Sequence, residues 1–576
     1  MNRTLILGLA FGVFCFLEWS PSQQAAPSAP AAARPTLAPA GPFHVSGNQI
    51  LDSKGRPFLI RGTQTPEFHL DTVARDNRAG LDYGVHSATT LSAIRLRFNL
   101  NAVRIPVDPR ESAKPGYFPA LARVVRRANE MDLLAILTPR EGLTPGPEAI
   151  EFWSRCAAFF KDYPNVMFAT SSESAGSESE KDVVHAIRAA RASQVVMVAA
   201  TERELGDPNL VYEVSPSYSD IRGEGQLDPD FGSLARTAPV MANGLDPKLD
   251  TVQECAALPP DPAAASALIE DYLNYFDAHA ISWTVSSFEP GKLIRELSLH
   301  DATSLENGWT CGQPDPWTPA GIGRIVQAHM RGSIERELFV VSGAGGLDIA
   351  RGAFALAYGP VLADHDAEAG GSHPPVKLGG ISIQVTDALG ATRPAGIFWA
   401  SEGWGQTNFV IPDQSAVGPA RMTVRREDGS TTSTNISIAD TAPGFVTGHS
   451  CRGPALGSAT QVFADGRTVT TQISSCKGFD CRTIAIPVAA GATTRVRILA
   501  SGFRHAHSAV EIEMRIGGVR VPVVSFGPTD NPGQDQVTVE IPARLYGLGE
   551  ADMICHLSGR ISNATRIRIG AAKPVS

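Results

Sequence analysis

Charge is scarce in this sequence. Asp, Glu, Lys and Arg make up 19% of 576 residues and leave a net charge of -9, so there is no basic field to hold nucleic acid or anionic lipid. Aromatic residues are few as well, at 7%. Beyond the first residues no run is apolar enough to cross a bilayer, so no transmembrane segment is expected. There is no glycine-rich phosphate loop and no dinucleotide fingerprint. Cys476 and Cys481 have four residues between them and no neighbouring histidine, which suits a disulfide better than a zinc site. No cofactor or metal is expected, and a neutral or weakly polar ligand fits the composition that remains.

What is present is punctuation. The chain has 54 glycines and 42 prolines without a fixed short period, so turns and linkers are many and a fibre is excluded. The length is too great for one core and predicts several domains. Arg3 followed by the apolar stretch from Leu5 to Leu17 predicts an export signal over residues 1–20, hence a secreted, extracellular or periplasmic protein. The Ala/Pro tract over 21–42 is expected to be an extended linker. Of the eight cysteines, Cys15 leaves with the signal, so an odd number remains and one must stay unpaired. Cys255 and Cys311 share one predicted domain, and Cys451, Cys476, Cys481 and Cys555 share another. That distribution is consistent with disulfides, although the pairing is open.

Residues 43–64 read as a hairpin feeding a buried strand. Amphipathic helical stretches then alternate with continuous apolar runs, the mark of parallel strands buried on both faces. About eight such strands occur over residues 43–337, the number that closes a (β/α)8 barrel. After Leu338 the pattern changes to short alternating strands broken by glycine, which predicts all-β sandwiches. Residues 381–438 also line up with 510–569, so two related β-domains are expected, over 338–445 and 446–576.

Several segments resemble glycoside hydrolase family 5, the cellulase-like barrels, in order and spacing across residues 43–337. VSGNQILDSKGRPFLIRG resembles the family's opening hairpin and first strand, FNLNAVRIPV its second strand with Arg104 as the strand's arginine, and YPNVMFATSSES its fourth. The resemblance puts Glu173 on the general acid/base, Ser172 on the preceding asparagine, and a β-linked polysaccharide or oligosaccharide of the β-glucan or mannan class in the cleft. A retaining glycosidase sets two carboxylates ~5 Å apart, one attacking the anomeric carbon and one protonating the leaving oxygen. The second is missing from its expected place, because PVMANGLD offers Asn243 and Gly244 where the family has its glutamate. Asp246 is the nearest substitute nucleophile; Glu141 and Glu289 follow other strands.

Further departures follow from the same comparison. The family's third-strand histidine aligns with Arg140, its sixth-strand histidine with Ser215 and its eighth-strand tryptophan with Ser286. Arg140, Ser172, Tyr218, Trp283 and Arg104 are therefore the expected substrate-binding set, with Glu173 and Asp246 the catalytic candidates. An arginine in a buried strand needs a matching acid, and Glu173 is its expected partner. The resemblance implies an O-glycosyl hydrolase in ancestry with impaired or absent catalysis; a non-catalytic glycan-binding or surface-adhesion protein is the alternative. Through IARGAFALAYG and TAPGFVTG, the C-terminal modules resemble immunoglobulin-like pairs on secreted soil-bacterial proteins, which implies contact with glycan or cell surface, or a spacer role.

Overall fold

The structure is a computed structural model that describes residues 34, 36–70, 84–140, 146–170, 178–200, 205–215, 227–245, 262–285, 287–290, 292–294, 323–332, 338–343, 345–359, 362–370, 373–403, 405–449, 452–477, 480–489 and 491–573. Eight strands form a closed, wholly parallel barrel. They are β1 (Arg61–Gln64), β2 (Ala102–Val107), β3 (Leu134–Pro139), β4 (Val166–Ala169), β5 (Val196–Ala199), β6 (Leu210–Val214), β7 (Val240–Leu245) and β8 (Ser282–Val285). Each pairs with its successor, and β8 closes on β1 through Trp283 opposite Arg61. Among the described residues the longer helices are α1 (Ala88–Leu96), α2 (Tyr117–Glu130), α3 (Pro147–Phe160), α4 (Glu178–Ala189), α5 (Pro262–Ala278) and α6 (Gly323–Arg331). Local chemistry starts them where the sequence allows: the Ser87 hydroxyl accepts from the Thr90 N–H at 3.0 Å, an N-cap, and Pro147 opens α3, where its missing N–H costs nothing.

The continuous apolar strands are explained by two separate cores. Alternate residues of the strands fill the barrel with Ile60, Ala102, Leu134, Ile136, Met167, Met197, Val211 and Met241. Phe43, Ile50 and Phe58, from and beside the hairpin His44–Ser46/Gln49–Leu51, belong to the same cluster and plug the barrel where the strands begin. The intervening residues, among them Val103, Leu137, Phe168, Val198 and Trp283, pack outward against the helices. Residues buried on both faces of a strand leave no polar alternation for the sequence to display.

The Ala/Pro tract does not end as a free linker. Arg34 N–H donates to Met330 O at 3.0 Å, Thr36 Oγ1 to Asn99 Oδ1 at 2.8 Å, and Gly41 N–H to Asn165 Oδ1 at 2.7 Å. The Arg34 guanidinium also reaches Asp277, 3.1 Å away, which is shared with Arg61 and His329. The expected linker over 21–42 therefore gives way, from Arg34 onward, to a strap bonded along the barrel. Composition predicted no burial there, but backbone groups can bond to a neighbour whatever their side chains.

The region after residue 338 is β-rich. In the first β-domain the strand Ile381–Thr386 pairs antiparallel with Thr392–Ser401 on one side and Gly418–Arg426 on the other. In the second, Glu513–Ile516 pairs in the same way with Val519–Val521 and Gly549–Leu557. The repeat read at the sequence level thus recurs as a repeat of strand pairing. The strand Gly444–Phe445 pairs with Ala492–Ser501, and Phe445 lies in the second core.

Cys476 and Cys481 are bonded to each other across a hairpin. Cys555, expected among the disulfide candidates, is a free thiol buried in the second β-domain's core, as Cys156 is in the barrel's outer layer. Cys255, Cys311 and Cys451 lie outside the described residues. No helix among the described residues is long and apolar enough to cross a membrane.

Candidate functional site

Along the barrel axis the apolar filling gives way to polar side chains toward the C-terminal ends of the strands. Arg104 on β2 is the first of them. It is 1% exposed, and one guanidinium nitrogen donates to the Glu213 carboxylate on β6. Its other terminal nitrogen donates to Thr138 Oγ1 on β3 at 2.9 Å. In a ring of eight strands β2 and β6 stand opposite one another, so this ion pair spans the barrel. Glu213 is also the only acidic residue within the eight strands. The other side of the layer is uncharged: Thr284 Oγ1 on β8 donates to Asn243 Oδ1 on β7 at 3.3 Å. Gly244 follows with φ +70°, at a register shift between β7 and β8.

A buried hydroxyl–imidazole contact borders this layer. Thr65 Oγ1 lies 3.0 Å from His86 Nε2 and 3.1 Å from Arg104 O. Burial lowers the His86 pKa to about 4, so the ring is neutral at physiological pH. Beyond β4, Thr170 Oγ1 donates to Glu180 Oε1 at 2.7 Å, and the Ala199 N–H approaches the same oxygen at 3.3 Å. Glu180 is wholly buried, although it belongs to the acidic, serine-rich stretch SSESAGSESEKD. Farther out, Arg140 Nε sits 3.4 Å from Asp108 Oδ2, and His69 lies 3.9 Å from both Glu67 and Glu111. Burial, and then the like charges of Asp108 and Glu111, raise the Glu67 carboxyl above its usual range against the pull of His69 and Arg140.

The residues expected from sequence are distributed unevenly over this geometry. Arg104 lies at the centre of the inner layer, and its partner is Glu213 where Glu173 was anticipated. Arg140 lies at the rim, about a quarter exposed. Trp283 faces the other way: it is wholly buried in the outer core, 6.1 Å from the His329 ring of α6. From there it cannot touch a ligand in the barrel mouth. Trp283→Phe is therefore expected to lower stability by on the order of 2 kcal/mol through the space it leaves, with glycan affinity unchanged in a titration. Glu289 is paired at 3.4 Å with Lys292 on a partly exposed turn. Glu173, Ser172, Tyr218, Asp246, Glu141 and Ser286 lie outside the described residues.

Sequence reasoning missed Glu213, Thr138 and Thr284. A signal existed for the first. LVYEV alternates from Val211, an interior residue, to Glu213, so the acid falls on the same face. A buried arginine in one strand then asks for a buried acid in another.

Chemically the inner layer presents a guanidinium, a charge-matched carboxylate, an amide and hydroxyls over an apolar floor. Such a surface suits a hydroxyl-rich, uncharged ligand held by hydrogen bonds. Among the described residues, the one carboxylate within the eight strands, Glu213, is bonded to Arg104.

No family model matches the sequence, and no curated protein matches it. Among solved structures, a β-glucanase from Saccharophagus degradans in complex with cellotetraose is similar at 18% identity and a TM-score of 0.36, over 47% of this chain and 91% of that one. A thermostable, halotolerant GH5 cellulase from an Icelandic hot spring isolate is similar at 14% identity and a TM-score of 0.35, over 53% of this chain and 98% of that one. A β-glycosidase from Bacteroides vulgatus is similar at 10% identity and a TM-score of 0.31, over 92% of this chain and 67% of that one.

Proposed function

We propose that the chain is a secreted, carbohydrate-active protein whose barrel is a family 5-type (β/α)8 barrel that holds a β-linked polysaccharide of the β-glucan or mannan class at the C-terminal ends of its strands, with hydrolysis impaired or lost. The immunoglobulin-like reading of the two β-domains and their contact with a glycan or cell surface belong to the same proposal. Barrels of parallel strands place their ligands at this end, and the polar layer of Arg104, Glu213, Thr138, Asn243 and Thr284 lies there.

The observation that carries the loss of hydrolysis is the end of β7. The resemblance expects a glutamate nucleophile at Asn243–Gly244. Asn243 supplies a neutral amide bonded to Thr284, and Gly244 has a left-handed backbone, φ +70°, that an L side chain adopts only at a cost. Without a carboxylate at this position the covalent route loses its usual nucleophile, with Asp246 the nearest substitute, even where Glu173 keeps its acid/base role.

Calorimetric titration with cello- and manno-oligosaccharides, run beside reducing-sugar release from β-glucan and mannan, tests this reading. Saturable binding with no sugar release above that of Glu173→Gln is the expected result. Release that disappears in Glu173→Gln would establish a working hydrolase, and failure to bind every β-linked glycan would remove the ligand class.

A further inference from the structure

The barrel and the two β-domains meet around a cavity that belongs to none of them alone. It measures about 80 Å³ and is lined by Arg95, Asp132 and Arg331 of the barrel, Asp348 of the first β-domain and Arg560 of the second. The second domain reaches it through a tight hairpin between Gly549–Leu557 and Arg560–Ile561. Ser558 and Gly559 both have positive φ, 51° and 74°, the conformation of a two-residue hairpin turn that presents Arg560 toward the barrel. Around the cavity the domains are packed as interior. Ile554, Ile561 and Ala564 belong to the barrel's outer core, and Arg127 Nε donates to Asp552 at 2.8 Å.

Charge in the cavity does not balance. Asp348 is shared, 3.2 Å from Arg331 Nη2 and 3.4 Å from Arg560 Nε. Asp132 lies 3.5 Å from His556 Nδ1. Arg95 directs its guanidinium at neutral groups, Thr36 Oγ1 at 2.9 Å, Leu100 O at 3.2 Å and Asn99 Oδ1 at 3.4 Å. Three guanidiniums thus face two carboxylates, one of which also serves a histidine. Arg331 Nε is moreover buried without a hydrogen-bond acceptor, and Arg560 Nε, on a side chain that is partly exposed, faces Asp348 at ion-pair distance without a hydrogen bond to it. A buried cation left short of acceptors is costly, and a cavity of this size has room for several waters or for one small anion.

We propose that this three-domain junction binds a small oxyanion of the inorganic phosphate or sulfate class, which takes the unmatched guanidinium donors and clamps the barrel to both β-domains. Arginine forks match the oxygens of such an ion. The inference is independent of the polysaccharide site, since neither Arg104 nor any residue of the barrel's polar layer lines this cavity.

Titration calorimetry of the full chain with inorganic phosphate, and separately with sulfate, against sodium chloride at matched ionic strength tests it. The expected result is saturable one-site binding, a melting temperature that rises with the same concentration dependence, and affinity about tenfold weaker in Arg560→Gln. Arg560 sits on a partly exposed hairpin, so this variant is expected to fold; Arg331→Gln serves as a second. Arg467→Gln, on an exposed turn of the second domain, is the control and is expected to bind as the parent does. A rise that does not saturate, or that is the same size in Arg560→Gln, is the general effect of excluded salts and would overturn the proposal.

Discussion

Arg104→Met is expected to destabilise the barrel by about 3–5 kcal/mol, while the double variant Arg104→Met/Glu213→Leu regains most of that loss. The reason is the asymmetry of a buried ion pair. Arg104 and Glu213 are 1% and 7% exposed, so neither can turn to water when its partner is removed. The single variant leaves a carboxylate enclosed above Met241 and Val211 with its main counter-charge gone. Removing both charges and filling the space with apolar volume removes the desolvation cost along with the attraction. Thermal melts of the two single variants and the double, read as a mutant cycle, measure the coupling. Singles that melt within a degree of the parent would show that the pair contributes little. A double variant that regains stability and still fails to bind oligosaccharide would separate the pair's role in the ligand site from its role in the fold.

The second large effect is a pH dependence set by two groups, one half-buried and one buried, that act in opposite directions. Glu130, in the last turn of α2, is held beneath the Gly517–Gly518 turn of the second β-domain, its carboxylate against Gly518. Burial and then the Asp552 charge raise its pKa to about 7 from the usual 4.5, against the pull of Arg126, Arg127 and Arg515. The folded protein therefore keeps a proton that the unfolded chain gives up between pH 4.5 and 7, and stability falls as pH rises through that window, by about 3 kcal/mol in all. His86 works the other way. Its folded pKa near 4 lies below the usual 6.5, so the unfolded chain gains a proton first, and stability falls as pH drops from 6.5 toward 4, by about the same amount.

Between pH 4.5 and 6.5 the two slopes nearly cancel, and the parent melting temperature is expected to be flat there. Glu130→Gln removes one of them. Its melting temperature is expected to exceed the parent's at pH 8 and to fall on acidification from 6.5, where the parent holds level. Superimposable melting profiles for parent and variant over pH 4 to 8 would remove Glu130 as the source.

How much of this was legible beforehand depends on what kind of order is involved. The hairpin over 44–51, the alternation of helix and buried strand, and the shift to β-structure after Leu338 are local patterns, and each appears as an element close to its expected place. The repeat between 381–438 and 510–569 was equally visible, because related sequences pair related strands. The strap that begins at Arg34 escaped notice because composition measures what side chains can bury, while the strap is held by hydrogen bonds of its backbone, of Thr36 and of Arg34.

The candidate site was legible by half. Arg104 stands out in a run of apolar residues, and the need for an acid follows from electrostatics alone. Which acid answers it is a matter of closure. Glu213 lies 109 positions away and is brought opposite Arg104 by the completion of an eight-strand ring. Trp283 shows the same division: alternation separates it from the inward residues of its strand, and the position of α6 then encloses it against His329.

By itself the sequence determined the kinds of elements, their order, the repeat and the requirement that Arg104 be matched, since these depend on residues near one another or on the chemistry of a single side chain. Tertiary structure alone decided that Glu213 is the match, that Asn243 is bonded to Thr284 at the end of β7, that Cys555 stays a buried thiol, and that two arginines of the barrel and one of the second β-domain converge on one cavity. Those outcomes depend on barrel closure and domain docking, which bring distant residues within a few ångströms and leave no local trace in the chain.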